Sequence, residues 1–130
     1  MSEERIRAWL ELASRHLAMA RLLRPDHPDG AFFHVYHGFE CALTAQLIRL
    51  APTEGIPVGH RDKVDLFLDR VADQLLEDRV SALWPRLDRR NEALYIGWRG
   101  TRLRKPDALF TAAQVGPLLH EIEELLEILS

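Results

Sequence analysis

The stretch RLDRRNEALYIGWRG, residues 86–100, sets four arginines, an asparagine and a tyrosine on a segment whose apolar spacing otherwise reads as the inner face of a helix. A guanidinium group buried on such a face needs a partner. Glu40, an acid set among the apolar faces of another helical segment, is the natural candidate for Arg90. The Glu40–Arg90 pair then has two readings. As structure, it is an internal ion pair that sets helix register. As a site, Arg90 offers a bidentate fork to a phosphate, Glu40 positions it, and Asn91 and Tyr95 orient the ligand, since tyrosine also stacks on a base.

A second constellation lies in FFHVYHGFECAL. His34, His37 and Cys41 fall on one helical face with Glu40 beside them, and His16 and His60 can approach from elsewhere. Three such side chains plus water make a catalytic zinc site. One helix alone does not surround an ion tetrahedrally, and the ExxH pairs of di-iron bundles are missing. The plainer reading makes Cys41 a small core residue and Glu40 the acceptor of an internal hydrogen bond. On that reading the chain has no metal site and no cofactor. Nucleotide hydrolysis and serine esterase chemistry also lack their motifs: there is no G-x-x-x-x-G-K-[ST], no G-x-G-x-x-G and no G-x-S-x-G.

Charge is unevenly spread. Residues 86–105 hold seven bases against two acids, a local sum of +5, and the remainder carries −8 to give the net −3. Arg86, Arg99, Arg102 and Arg104 thus make a basic surface on an acidic body, suited to a phosphate-bearing ligand or an acidic partner.

These residues must be positioned by helices. At 130 residues, 47% hydrophobic and 28% charged, the chain reads as one domain, residues 1–130, with a real core. The single cysteine rules out an internal disulfide framework. The opening MSEERIRAW has no apolar signal region and no apolar run is long enough for a bilayer, so a cytoplasmic protein is expected. Apolar residues recur at three and four almost throughout. The spacing predicts a helix from about Glu3 to Leu23, a turn in RPDHPDG, and a wide-faced central helix from about Ala31 to Leu50. A third helix starts near His60. The pattern breaks between Asp78 and Pro85, where Ser81 is the expected N-cap and Pro85 sits in the first turn of a fourth helix ending at Gly100. The basic loop WRGTRLRKPD follows. Thr111 and Gln114 form a capping box for the last helix, whose regular part is expected from about Gly116 because of Pro117. Short connections between long helices favour antiparallel neighbours. The expected fold is all-α, an up-and-down antiparallel bundle of four to five helices.

The same segments carry a family resemblance. AFFHVYHGFECALTAQLI resembles the A-x-x-x-A-x-x-A-x-E-x-A-L-K-A-L-L pattern of the HEPN domain family, with Glu40, Ala42 and Leu43 where the family has an acid before Ala-Leu. GHRDKVDLF resembles its G-H-x-L-x-x-L entry to the third helix, and RNEALY its R-N-x-x-x-H or R-N-x-x-x-Y segment. FTAAQVGPLLHEIEELLEIL resembles its terminal amphipathic helix. The resemblance implies a small helical bundle, commonly a homodimer whose arginine motifs meet at the interface. Many such proteins are metal-independent ribonucleases using Arg-x4-6-His. Others bind nucleotides, RNA or a nucleotidyltransferase partner in toxin–antitoxin pairs.

This chain departs from the catalytic pattern, because Tyr95 stands where the histidine belongs. The Arg21–His27 spacing fits by number but spans a helix end and a proline turn. Tyrosine ordinarily titrates near 10 and histidine near 6.5, so Tyr95 is a poor base at neutral pH. The expectation is an RNA- or nucleotide-associated HEPN-like module without efficient ribonuclease activity. Its expected ligand site is Arg90, Asn91, Tyr95, Glu40 and His60. The alternative is a protein-interaction bundle whose Glu40/Arg90 polar core is purely structural, and a third reading is a metal-dependent bundle enzyme built on His34, His37 and Cys41 or Glu40.

Overall fold

The computed structural model describes residues 2–95, 97–99 and 101–130, without the side chains of residues 98, 99 and 104. The chain forms α1 (Ser2–Leu23), α2 (Pro28–Leu50), α3 (His60–Arg70), α4 (Gln74–Leu87), α5 (Arg90–Leu94), a hairpin of β1 (Gly97–Arg99) and β2 (Arg102–Arg104), α6 (Pro106–Leu109) and α7 (Ala112–Leu129). No helix among the described residues is long and apolar enough to cross a membrane.

α1 and α2 pack face to face because their shared seam is built from small residues. Ala13, Ala20, Ala31, Ala42 and Ala45 are all buried there, and at Gly38 an added Cβ would lie 2.7 Å from the Leu17 Cδ2 atom. Leu17 meets Gly38, His16 meets His34, and Ile6 packs with Ala45 and Ile48. Numbers rise on one helix as they fall on the other, so the pair is antiparallel. α4 and α7 form the second antiparallel pair, bridged by Arg79–Glu124 and Arg86–Glu121. α7 runs in the same direction as α2: Phe32 packs against Phe110, just ahead of α7, at one end, and Gln46 and Arg49 donate to the Leu129 carbonyl at the other. α3 runs in the same direction as α2, with His60 and Lys63 at Glu40 and Arg70 reaching Glu54 beyond the end of α2. α4 returns in the opposite direction and sets Trp84 against Tyr36 and Phe39. The result is the expected up-and-down helical bundle, closed around Phe32, Val35, Tyr36, Phe39, Phe67, Leu87 and Ile122.

Three boundaries differ from the sequence reading. The interruption falls at 71–73, not between Asp78 and Pro85. Asp73 is the N-cap, its carboxylate accepting from the Leu75 and Leu76 N–H groups at 2.9 and 3.2 Å. Ser81 is exposed in the middle of α4, and Pro85 sits in that helix's last turn rather than its first. There the missing N–H removes one bond close to where the helix stops anyway, at Asp88.

The expected fourth helix does not continue to Gly100. Tyr95 closes α5 with extended backbone angles, φ −129° and ψ 143°. The following residues pair as a ribbon, Gly97 opposite Arg104 and Trp98 opposite Leu103. Two glycines, a threonine and an aromatic within GWRGTRLR weigh against helix and for strand and turn. At the far end, the Thr111–Gln114 capping box is present in both directions, each bond 3.2 Å, and α7 is helical from Ala112, ahead of Pro117.

The corrected boundary has a measurable consequence. Asp73→Ala is expected to cost about 1 kcal/mol of unfolding free energy, the usual value of an N-cap. Ser81→Ala should stay within about 0.5 kcal/mol of the parent, as exposed helix-interior changes do. Urea titration of both variants checks this, and a larger loss from Ser81→Ala would return the helix start to that residue.

Candidate functional site

The polar residues of α2 divide over three of its sides. Glu40 faces α3, where the first helical turn delivers two donors to one carboxylate: His60 Nδ1 lies 2.6 Å from Oε2 and Lys63 donates to Oε1 at 2.8 Å. Residues 60 and 63 are three apart and so share a face of α3. Glu40 and Lys63 are largely buried, with 15% and 12% of their side chains exposed, whereas His60 keeps 39%. Burial alone would raise the Glu40 pKa. The Lys63 hydrogen bond and charge, followed by those of His60, outweigh it and hold the carboxyl below its ordinary range. The expected Glu40–Arg90 pair is therefore not formed. The short reach from α3 takes the carboxylate, and Arg90 lies across a cleft.

That cleft, about 580 Å³, opens between the start of α3 and the α4–α5 joint. Tyr36 and Trp84 form its aromatic wall, with rings 6.3 Å apart. Gly59, His60, Arg61 and Asp62 line one side, and Asp88, Arg89, Arg90, Asn91 and Glu92 the other. Arg89 is doubly anchored, donating to Glu92 at 2.6 Å and lying 4.6 Å above the Phe110 ring. Arg90 and Arg61 make no ion pair among the described residues and are available to a ligand. The Tyr36 hydroxyl is pushed far up, first by burial and then by the Glu40 charge, so it stays protonated.

Of the residues singled out from sequence, Arg90, Asn91 and His60 meet in this cleft and Glu40 stands behind His60. Tyr95 does not join them. It is 61% exposed at the C-cap of α5 and lies outside the cleft wall. Arg86 turns to another face and pairs with Glu121. Arg102 is exposed on β2, and the Arg99 and Arg104 side chains lie outside the described residues. Sequence reasoning passed over Tyr36, Arg61, Lys63 and Trp84. Lys63 alone left a usable signal, its three-residue spacing from His60.

His34 and His37 face α1 instead of the cleft. His16 and His34 share a hydrogen bond between their Nδ1 atoms at 2.9 Å, and the His37 ring stacks on His16 with centroids 5.5 Å apart. All three pKa values are lowered, in each case chiefly by burial, His37 to about 4. His37 Nε2 is buried without a hydrogen-bond partner among the described residues. Cys41 is in the core, its thiol pushed up to about 11 by burial and then by Glu40. Among the described residues no three His, Cys, Asp or Glu side chains converge as metal ligands. The constellation of the third, metal-dependent reading is thus split, with two histidines at the α1 seam, the thiol in the core and the Glu40 carboxylate turned toward α3.

Compared with protein-family models, curated proteins and solved structures, the chain matches none of them.

Two pH responses follow from opposite causes. Glu40 has a depressed folded pKa, so its stabilisation is complete above the ordinary carboxylate value of about 4.3 and is lost as pH falls through the folded one. Glu40→Ala should cost roughly 2–4 kcal/mol near neutral pH, because Lys63 is left buried without its acceptor. The deficit relative to the parent should shrink in acid. His37 is neutral in the fold and charged in the unfolded chain below about 6.5. It therefore removes stability as pH falls from there toward its folded value of about 4. Denaturant unfolding of His37→Phe should show a flatter acid limb; a limb as steep as the parent's would mean His37 is not the group that charges.

Proposed function

We propose that the chain is a HEPN-like helical module that binds a nucleotide or RNA through its phosphate, without efficient ribonuclease activity. The observation that carries this reading is the meeting of Arg90, Asn91 and His60 in one cleft beside an aromatic wall. Unpaired arginine supplies the forked donor for phosphate oxygens, and Asn91 supplies an amide for a sugar or base edge. Tyr36 and Trp84 supply apolar ring surface of the kind on which bases stack. Arg102, exposed on β2, adds charge outside the cleft. Toxin–antitoxin chemistry with a nucleotidyltransferase partner, and a homodimer that brings two such clefts together, are the assemblies this reading favours.

Ribonuclease chemistry is the weaker half of the family resemblance. Tyr95 stands at the position where the resemblance places the catalytic histidine, and it is 61% exposed and not among the residues lining Arg90's cleft. A group outside the cleft does not move a proton to or from a ligand inside it.

The test is binding of mononucleotide and single-stranded RNA at two salt concentrations, with Arg90→Ala beside the parent. The expected result is binding that weakens with salt and falls at least tenfold in Arg90→Ala, with the fold intact by circular dichroism. Tyr95→Phe should bind like the parent. If neither ligand binds the parent at low salt, the cleft is not a phosphate site and the chain is better read as a protein-interaction bundle.

A further inference from the structure

Among the described residues, the charges that line the cleft cancel: Arg61, Arg89 and Arg90 stand with Asp62, Asp88 and Glu92, three cations and three anions. A groove that tracks a nucleic-acid strand needs a continuous excess of positive charge, because each nucleotide brings another phosphate. The described lining has none to spare, and its acids would oppose a second and third phosphate. Its volume of about 580 Å³ falls within the range that encloses one small ligand.

The one residue able to tip the balance is His60. Glu40 is an acceptor only, so the 2.6 Å contact makes His60 Nδ1 the proton-bearing nitrogen. In the neutral ring Nε2 then carries a lone pair and repels an anionic oxygen. It becomes a donor only when the ring takes up a second proton. Glu40 and the Tyr36 ring edge face the imidazole from α2, Lys63, Arg61 and Asp62 flank it on α3, and Asp88 and Arg90 stand across the cleft.

Resting on the nucleotide-binding reading above, we propose that the ligand is a single nucleoside monophosphate, not a strand, and that its terminal phosphate is taken up together with a proton on His60. The base lies against Trp84. The phosphate is held by Arg90, Arg61 and the imidazolium that Glu40 stabilises. A terminal monoester suits this set better than an internal diester, having three free oxygens and close to two charges.

Calorimetric titration with adenosine monophosphate, adenosine and a short single-stranded RNA lacking a terminal phosphate tests both parts. Adenosine should bind at least tenfold more weakly than the monophosphate, and the RNA no more tightly than it. RNA binding tenfold tighter than the monophosphate overturns the inference and leaves the broader proposal standing. A folded protein that binds none of the three, at low salt, overturns both. Because the phosphate itself titrates near pH 6, the proton is assigned by comparing His60→Gln with the parent. The parent's advantage should be about tenfold near pH 6 and close to nil near pH 8. An equal advantage at both would show that His60 acts without a proton. The parent alone gives an independent measurement: titrations near pH 7 in buffers of different ionisation enthalpy should report proton uptake, and proton release or none would refute it.

Discussion

A carboxylate set into the wall of a helical bundle is costly unless its charge is matched, and in this protein the match determines where the neighbouring helix lies. Removing an ion from water costs several kcal/mol even after relaxation. Glu40 meets that cost with two donors, one to each oxygen, both from the first turn of α3. Because the two donors are spaced by a single helical turn, only one register of α3 on α2 satisfies both oxygens. α3 is short and has only two fully buried apolar residues, Val64 and Phe67. The ionic contact therefore carries an unusual share of its placement. Gly59 and residues 60–62, which form one wall of the cleft, go where that register puts them.

The opposite wall depends on a helix that ends early. Pro85 lies in the last turn of α4, and Asp88 and Arg89 leave helical geometry before α5 begins. The break turns Asp88 to Glu92 toward α3 instead of letting them spiral onward around a continuous cylinder. Arg89 then ties the joint down from both sides, with Glu92 on its own element and the Phe110 ring ahead of α7. With Arg89 and Glu92 engaged with each other, Arg90 is the guanidinium of this joint left to face the cleft.

The bundle was legible because its information is repetitive. Each long helix presents its apolar stripe several times over, and the caps at Thr111 and the prolines near residues 25–28 mark two of the joints. The boundaries that went astray were those carried by a single residue. Ser81 and Asp73 are both good capping types, and the choice between them is made by whether Val80, Leu83 and Leu87 can all be buried on one continuous α4. The site was legible as a list of types but not as a set of pairs. Glu40 had several cations within plausible reach, and sequence spacing relates residues on one helix, not residues on two. Lys63 won over Arg90 because α3 crosses directly over Glu40. Tyr36 belongs to the core by burial, at 2% exposure, yet it also lines the cleft.

The histidines show why residue type alone was a poor guide to chemistry. His37 and His60 sit on opposite sides of Tyr36, each with its ring nearly perpendicular to the phenol, at centroid distances of 5.3 and 5.6 Å. Their environments differ in what stands behind the ring. His37 has a second imidazole stacked on it and a buried nitrogen without a partner among the described residues, an arrangement that favours the neutral form. His60 has a carboxylate behind it and the cleft in front, an arrangement that tolerates a charge and aims it. A proton added to the first works against the α1–α2 seam; a proton added to the second is compensated by Glu40. Among the described residues, the imidazole that lines the cleft with Arg90 comes from α3, with the Glu40 carboxylate behind it.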